Sequence, residues 1–124
     1  MNLQISDREW GERGVTLVLK GEIDIYSAAQ IRQKVLDVVE CGRVLIVANL
    51  QEVNYLDSTG LAVLIGALRR AREHDGDLVI VSSHPRLNKI FGITGLGKIF
   101  RIVAEEEIAV RAMTGNSLMS EEMV

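Results

Sequence analysis

A seven-residue segment, residues 54–60, carries the side chains best suited to regulatory chemistry. It reads Asn-Tyr-Leu-Asp-Ser-Thr-Gly and lies directly before an amphipathic pattern that predicts a helix. Backbone N–H groups in the first turn of a helix lack partners within the helix, and the helix dipole is positive there. A phosphate at that point would meet free donors. The fold would therefore tolerate a phosphoserine at Ser58.

The same residue types also have an ordinary structural role. Ser and Asp are common N-caps, so either Ser58 or Asp57 could simply cap the helix. Residue types and spacing leave both interpretations open.

A hydrolytic role for Ser58 is disfavoured. A serine nucleophile needs a base and a group that orients that base. The two histidines are His74, predicted at a helix end, and His84, directly before Pro85, and both suit capping or solvated positions. No Gly-x-Ser-x-Gly elbow surrounds Ser58. The sequence therefore predicts that the chain is not an enzyme.

Residues 92–99 nearly match a phosphate-binding P-loop. Ile99 occupies the place of the hydroxyl residue that would ligate Mg²⁺. The segment also follows a predicted helix and precedes a predicted strand, the reverse of the order in a P-loop. We therefore expect turns here, and no bound cofactor.

The elements that must position Ser58 alternate between strands and helices. Strands are predicted near residues 3–8 and over residues 15–20, 44–48, 78–81 and 100–103. Helices are predicted after Ser27, at Ser58, from Pro85 to Phe91 and from the Glu run at 105–107. This alternation predicts one α/β domain with a mixed sheet of about four to six strands and about four helices.

Three local expectations follow from the same patterns. Ser27 should cap the first helix through its side chain. Residues 50–55 read as a loop that leads to the Ser58 segment. Ile108 and Ala112 should share the inner face of the last helix.

Composition excludes several classes of function. The 124 residues carry a net charge of −3 and no basic run, whereas nucleic-acid surfaces and polybasic membrane anchors need clustered Lys and Arg. The single cysteine, Cys41, cannot form an internal disulfide, and no Cys/His cluster suggests a metal site. No apolar run approaches the ~20 residues of a membrane-spanning helix, and the N-terminus does not read as a signal peptide. We therefore expect a cytoplasmic protein that binds no metal, nucleic acid or membrane.

Residues 54–60, followed by Leu-Ala-Val-Leu, resemble the signature of the bacterial anti-sigma-factor antagonists of the STAS domain family. Three further stretches resemble the family in order and spacing: Gly-Glu-Ile-Asp at 21–24, Phe-Gly-Ile-Thr-Gly-Leu at 91–96, and Arg-Ile-Val at 101–103 before the Glu run. The resemblance covers about residues 3–113. It implies a STAS domain over residues 1–113, and residues 114–124 read as a polar, flexible tail.

The resemblance also implies a partner-switching mechanism. An unphosphorylated antagonist binds an anti-sigma factor, which frees a sigma factor for RNA polymerase. The anti-sigma factor is often a serine kinase that phosphorylates the antagonist, here at Ser58, and a serine phosphatase resets the switch. Thr59 is an alternative acceptor. The alternative function is that of a STAS scaffold or adaptor subunit in a larger signalling assembly.

The predicted partner-binding residues surround the phosphorylation site. They are Asp24, Asn49, Asp57, Ser58, Thr59 and Gly60. Asn49 departs from the family pattern, which commonly has Asp at this position. Arg69, Arg70 and Arg72 on the second helix suit either a solvated face or the border of the interface, and the sequence leaves both open.

Overall fold

The computed structural model describes residues 2–114. Its five strands are β1 (Leu3–Trp10), β2 (Gly14–Ile23), β3 (Leu45–Leu56), β4 (Asp77–Val81) and β5 (Arg101–Val103). Its four α-helices are α1 (Ala28–Glu40), α2 (Ser58–Glu73), α3 (Pro85–Thr94) and α4 (Glu106–Met113). A single 3₁₀ turn, Leu96–Lys98, follows α3 within the described residues. The expected α/β domain with a mixed sheet and four helices is confirmed.

The five strands form one sheet in the order β1-β2-β3-β4-β5. A tight connection at residues 11–13 joins β1 and β2, which pair antiparallel, and the three other pairs are parallel. Parallel neighbours need a crossover, and α1, α2 and α3 supply the three that this order requires. The carboxyl ends of β2 and β3 therefore both lead into helices, and Ser58 begins the second of these.

The two faces of the sheet are covered by different helices. Alternate residues of a strand point to opposite faces, so Ile46 and Val47 of β3 enter different clusters. The larger cluster joins Ile46 to the buried faces of α1, α2 and α3. The smaller cluster packs Val47, Val79 and Val81 against Ala109 of α4. Helix α4 thus lies on the face opposite to Ser58 and its helix.

The expectation of a loop at residues 50–55 is wrong, because β3 continues to Leu56. The second half of β3 pairs with the end of β2, from Lys20↔Glu52 to Ile23↔Leu56. Register shifts occur between Val18 and Lys20, just before this stretch, and between Gly21 and Glu22 within it. Such bulges break the two-residue alternation of a strand, and only every third residue from Leu50 is buried here. The sequence pattern therefore did not resemble a strand.

Two expectations about helices are also wrong. The Ser27 side chain does not cap α1: its Oγ donates to the Glu22 carbonyl at 2.8 Å and accepts from the Asp24 N–H at 2.9 Å. Ile108 does not lie on the inner face of α4 but is 41% exposed, and its neighbour Ala109 is fully buried instead. The helical pattern alone did not determine which of these two residues faces the sheet.

Of the predicted flexible tail, only Thr114 belongs to the described residues, where it caps the end of α4. Within residues 2–114, no helix has both the length and the apolar character needed to cross a membrane.

Candidate partner-binding site

Ser58 is the first residue of α2, and its side chain is exposed. Asp57 is the N-cap: its backbone is extended, and its Oδ1 accepts the Gly60 N–H at 2.9 Å. The capping role that sequence alone could not assign therefore belongs to Asp57. Among residues 2–114, no hydrogen bond holds the Ser58 hydroxyl.

The connection between β2 and α1 brings Asp24 to the same end of the sheet. Ile23, the last residue of β2, pairs with Leu56, and its carbonyl accepts the Asp57 N–H at 3.3 Å. Asp24 and Asp57 therefore follow adjacent, hydrogen-bonded strand ends.

The Asp24 carboxylate holds its own loop together. Its Oδ1 accepts the N–H groups of Tyr26 and Ser27 at 2.9 and 3.0 Å. Burial by itself raises the pKa of this carboxyl, but the hydrogen bonds from Ser27 and Tyr26 together outweigh burial, so the pKa of Asp24 is lowered from its ordinary value. Asp24 is consequently ionised at neutral pH and adds a fixed negative charge beside the Ser58 segment.

An open depression of about 390 Å³ lies between the β2–α1 connection and the end of β3. Three carboxylates and three large apolar side chains line it: Glu22, Asp24, Asp57, Ile25, Tyr26 and Tyr55. We call these six residues the acidic depression. It combines negative charge with apolar surface at the start of α2.

The apolar side chains of the acidic depression are unusually exposed. Tyr26 is 82% exposed, Ile25 64% and Tyr55 51%. Exposed apolar patches with polar rims are typical of protein–protein contact sites, and Tyr is enriched in interfaces. Sequence reasoning missed this cluster, although one signal was available: both tyrosines of the chain lie here.

Gly60 fixes the approach of α2 to β2. A Cβ at this position would lie 2.6 Å from Ile23 Cγ2 and 2.7 Å from the Ile23 carbonyl oxygen. The backbone carbonyl cannot move aside without shifting β2. The absence of a side chain at Gly60 therefore allows the first turn of α2, with Ser58, to sit against the sheet.

Thr59 lies on a different surface from the acidic depression. It is half-buried and lines a groove between α1 and α2. Its neighbour Ser58 is the more accessible of the two hydroxyls.

The structure does not bring Asn49 together with the other predicted site residues. Asn49 precedes Leu56 by about 23 Å along β3, at ~3.3 Å per residue. Its Nδ2 donates to Glu106 of α4, and its Oδ1 accepts the Gln51 N–H at 2.9 Å. This geometry gives Asn49 a clear role in holding α4, while a role in partner binding stays a prediction.

Glu106 links Asn49 to β1. Arg8 donates to its Oε1 at 2.7 Å, and Asn49 donates to its Oε2. Burial raises the pKa of the Glu106 carboxyl, but the hydrogen bonds from Arg8 and Asn49 outweigh burial and lower that pKa from its ordinary value.

The two histidines form hydrogen-bonding contacts at the ends of α3 and α2. His84 is the N-cap of α3, and its Nδ1 accepts the Arg86 N–H at 3.2 Å. His74 Nδ1 lies 3.0 Å from the Arg70 carbonyl at the end of α2, which places it about 24 Å along the helix axis from Ser58. Within residues 2–114, no group of His, Cys, Asp or Glu side chains is arranged to hold a metal ion.

The model of the STAS domain family matches residues 5–109. The chain belongs to the STAS domain family. This STAS domain is 36% identical over 111 residues to the anti-sigma-B factor antagonist of Bacillus subtilis, an alignment that covers 90% of this chain and 100% of that protein.

Two solved structures share the fold of this STAS domain. One is an anti-sigma factor antagonist from Mycobacterium paratuberculosis, with a TM-score of 0.80 and 23% identity over 90% of this chain and 94% of that one. The other is the Bacillus cell fate determinant SpoIIAA in its phosphorylated form, with a TM-score of 0.68 and 25% identity over 88% of this chain and 99% of that one.

Proposed function

We propose that this STAS domain is an anti-sigma-factor antagonist that binds its partner when unphosphorylated and is switched off by phosphorylation at Ser58. The observation that carries the proposal is the exposed, unbonded Ser58 hydroxyl at the start of α2, beside the exposed apolar side chains of the acidic depression. The relatives named as anti-sigma factor antagonists support the same role.

The acidic depression supplies the contacts for the anti-sigma factor. Tyr26, Ile25 and Tyr55 are large side chains that a partner can cover, and a few such anchors carry most of the binding energy of an interface. The carboxylates of Asp24 and Asp57 are already held by backbone N–H groups, so they are pre-organised for a cationic partner surface. Binding therefore needs little rearrangement of this chain.

Phosphorylation changes the charge of this surface more than the fold. A phosphate on Ser58 adds about −1.5 to −2 charges next to the existing carboxylates. The free N–H groups at the start of α2 can donate hydrogen bonds to the phosphate within the folded protein. In the complex, the partner would lie against the added charge, and unfavourable charge contacts in an interface cost several kcal/mol. Since ~1.4 kcal/mol changes affinity tenfold, the complex dissociates without a change of fold.

The chemistry of the switch resides in the partners. Phosphoryl transfer needs a base, a nucleotide and a metal, which a kinase provides. The anti-sigma factor would be that serine kinase, and a serine phosphatase would restore the free hydroxyl. Both act in the bacterial cytoplasm. Thr59 is the alternative acceptor, and its half-buried, β-branched side chain makes it less accessible than Ser58.

Capture from native cells with two baits tests the proposal. Ser58→Ala should retain a small ATP-binding anti-sigma factor, whereas Ser58→Glu, an imperfect mimic of phosphoserine, should retain much less. Equal capture by both baits would refute gating by Ser58. Capture of a large multi-subunit assembly would support the scaffold function instead.

A matched pair of variants tests the location of the interface. Ile25 lies in the acidic depression, and Ile93 on α3 is similarly exposed, at 64% and 74% respectively. Ile25→Ala should weaken binding of the purified anti-sigma factor about fivefold to tenfold, while Ile93→Ala should leave it unchanged. Equal affinities for the two variants would place the interface elsewhere.

A further inference from the structure

A second concave surface lies on the other side of Ser58 from the acidic depression. It is a groove of about 200 Å³ between α1 and α2, with Val35 on one wall and Val63 and Ala67 on the other. Ala62 and Gly66 keep it open: a Cβ added at Gly66 would meet nothing within 4 Å. We call this the α1–α2 groove.

Two arginines line the α1–α2 groove. Arg32 comes from α1 and Arg70 from the last turns of α2, and both are exposed. Neither side chain makes an ion pair or hydrogen bond with any other residue in the range 2–114. Ala62 is exposed in the groove, whereas Val35 and Val63 are almost fully buried. The groove thus offers a small apolar surface together with two positive charges that the domain itself leaves unneutralised.

The groove is continuous with the surface around the phosphorylation site. Thr59, next to Ser58, lines it at the start of α2. Arg32 lies one turn inside α1, about 6 Å along the axis from its first residue. A partner that covers Ser58 therefore lies beside the Thr59 end of this groove.

We propose that the α1–α2 groove receives an acidic, partly apolar segment of the anti-sigma factor. This inference rests on the function proposed above. Small apolar side chains of the segment pack over Ala62 and Gly66, and its carboxylates pair with Arg32 and Arg70. The choice of occupant follows from charge complementarity and from the continuity of the groove with Ser58.

With an acidic segment in this groove, phosphorylation of Ser58 would weaken binding there as well. Thr59, the neighbour of Ser58, lines one end of the groove, so a phosphate on Ser58 adds negative charge near that end and repels the carboxylates of the segment. One modification thus weakens contacts on both sides of Ser58.

Charge variants of the two arginines test the occupant. With purified anti-sigma factor, titration calorimetry should show that the double variant Arg32→Ala/Arg70→Ala binds about tenfold more weakly than the wild type. Its affinity should also depend less steeply on salt, because two interfacial charges are gone. Arg86→Ala, an exposed arginine on α3, is the matched control and should bind like the wild type.

A steric variant tests the groove without removing charge. Gly66→Leu should fold well, since Gly is the poorer helix former and open space surrounds it, yet should block the segment and weaken binding about tenfold or more. Gly92→Leu on α3 is its control, because a Cβ there also meets nothing within 4 Å.

The outcomes separate this inference from the proposed function. If Ser58→Glu weakens binding but the groove variants bind like their controls, the groove inference is wrong and the switch stands. If Ser58→Glu binds as tightly as the wild type, the proposed function fails. Loss of affinity in the groove variants but not in their α3 controls, together with a flatter salt dependence for the arginine pair, would support the inference.

Discussion

Replacing Asn49 by Asp should loosen α4 from the sheet. Asn49 donates a hydrogen bond to the Glu106 carboxylate, and Arg8 donates a second one. Asp keeps the oxygen that accepts the Gln51 N–H, so only the donor to Glu106 is lost. The variant places two carboxylates against each other, and within residues 2–114 Arg8 is the one cation paired with Glu106.

The loss in free energy of unfolding depends on the hydrogen bond between Asn49 and Glu106 and on how exposed Glu106 is. A hydrogen bond to a charged group contributes about 1.5–3 kcal/mol, and the new repulsion adds to its loss. The Glu106 side chain is 27% exposed, so solvent screens part of this repulsion. We expect the variant to lose about 2–3 kcal/mol in free energy of unfolding at neutral pH, which lowers Tm by roughly 6–12 °C.

Urea unfolding followed by circular dichroism and by tryptophan fluorescence measures this effect. Trp10 packs against the same cluster as α4, so its emission reports the docking of that helix. The double variant Asn49→Asp/Glu106→Gln restores a donor opposite the new carboxylate and should recover most of the stability. The reasoning is refuted if Asn49→Asp is as stable as the wild type, or if Glu106→Gln fails to rescue it.

The stability that Asn49→Asp loses relative to the wild type should depend on pH. In the wild type, the lowered pKa of Glu106 contributes stability that is complete above the ordinary pKa of Glu, about 4.3, and is lost as pH falls through the lowered value. In the variant, the paired carboxylates raise each other's pKa, and protonation relieves their repulsion. The stability deficit should therefore be largest at neutral pH and shrink below about pH 5.

Three further predictions concern the stability of α2 and the Ser58 region. Gly60→Ala should destabilise the domain by about 1–3 kcal/mol, because its Cβ meets the Ile23 carbonyl. Gly66→Ala should instead stabilise the domain by up to ~1 kcal/mol, and thermal melts of the two variants measure this difference. Asp57→Ala should cost about 1 kcal/mol through loss of the cap, and Asp57→Asn should cost little, as urea denaturation can determine. The lowered pKa of Asp24 contributes stability that is complete above the ordinary carboxyl pKa of about 4 and is lost as the pH falls further. The free energy of unfolding of Asp24→Asn should therefore depend less on pH in the acid range.

The sequence was most informative where local pattern and tertiary structure agree. The continuous apolar runs of β3 and β4 and the amphipathic faces of α1 and α2 predicted a mixed sheet with crossover helices, and the structure has this arrangement. The N-terminus of α2 was equally clear, because Asp57 and Ser58 are followed directly by a helical pattern.

The differences arise where long-range pairing overrides local pattern. The end of β3 is a strand because β2 pairs with it through two register shifts, which no periodicity reveals. Ser27 resembles a cap, but its hydroxyl bonds to the backbone of Glu22 at the end of β2 and of Asp24 in the β2–α1 connection. Asn49 was expected near Ser58, and its contact with Glu106, 57 residues later, required the fold.

The switch is decided by the affinity of the purified anti-sigma factor for the domain with and without a phosphate on Ser58. We expect stoichiometric phosphorylation at Ser58 to weaken binding about 100-fold or more, while backbone amide shifts away from Ser58 stay nearly unchanged. Equal affinity of the two forms, or a global rearrangement on phosphorylation, would contradict it.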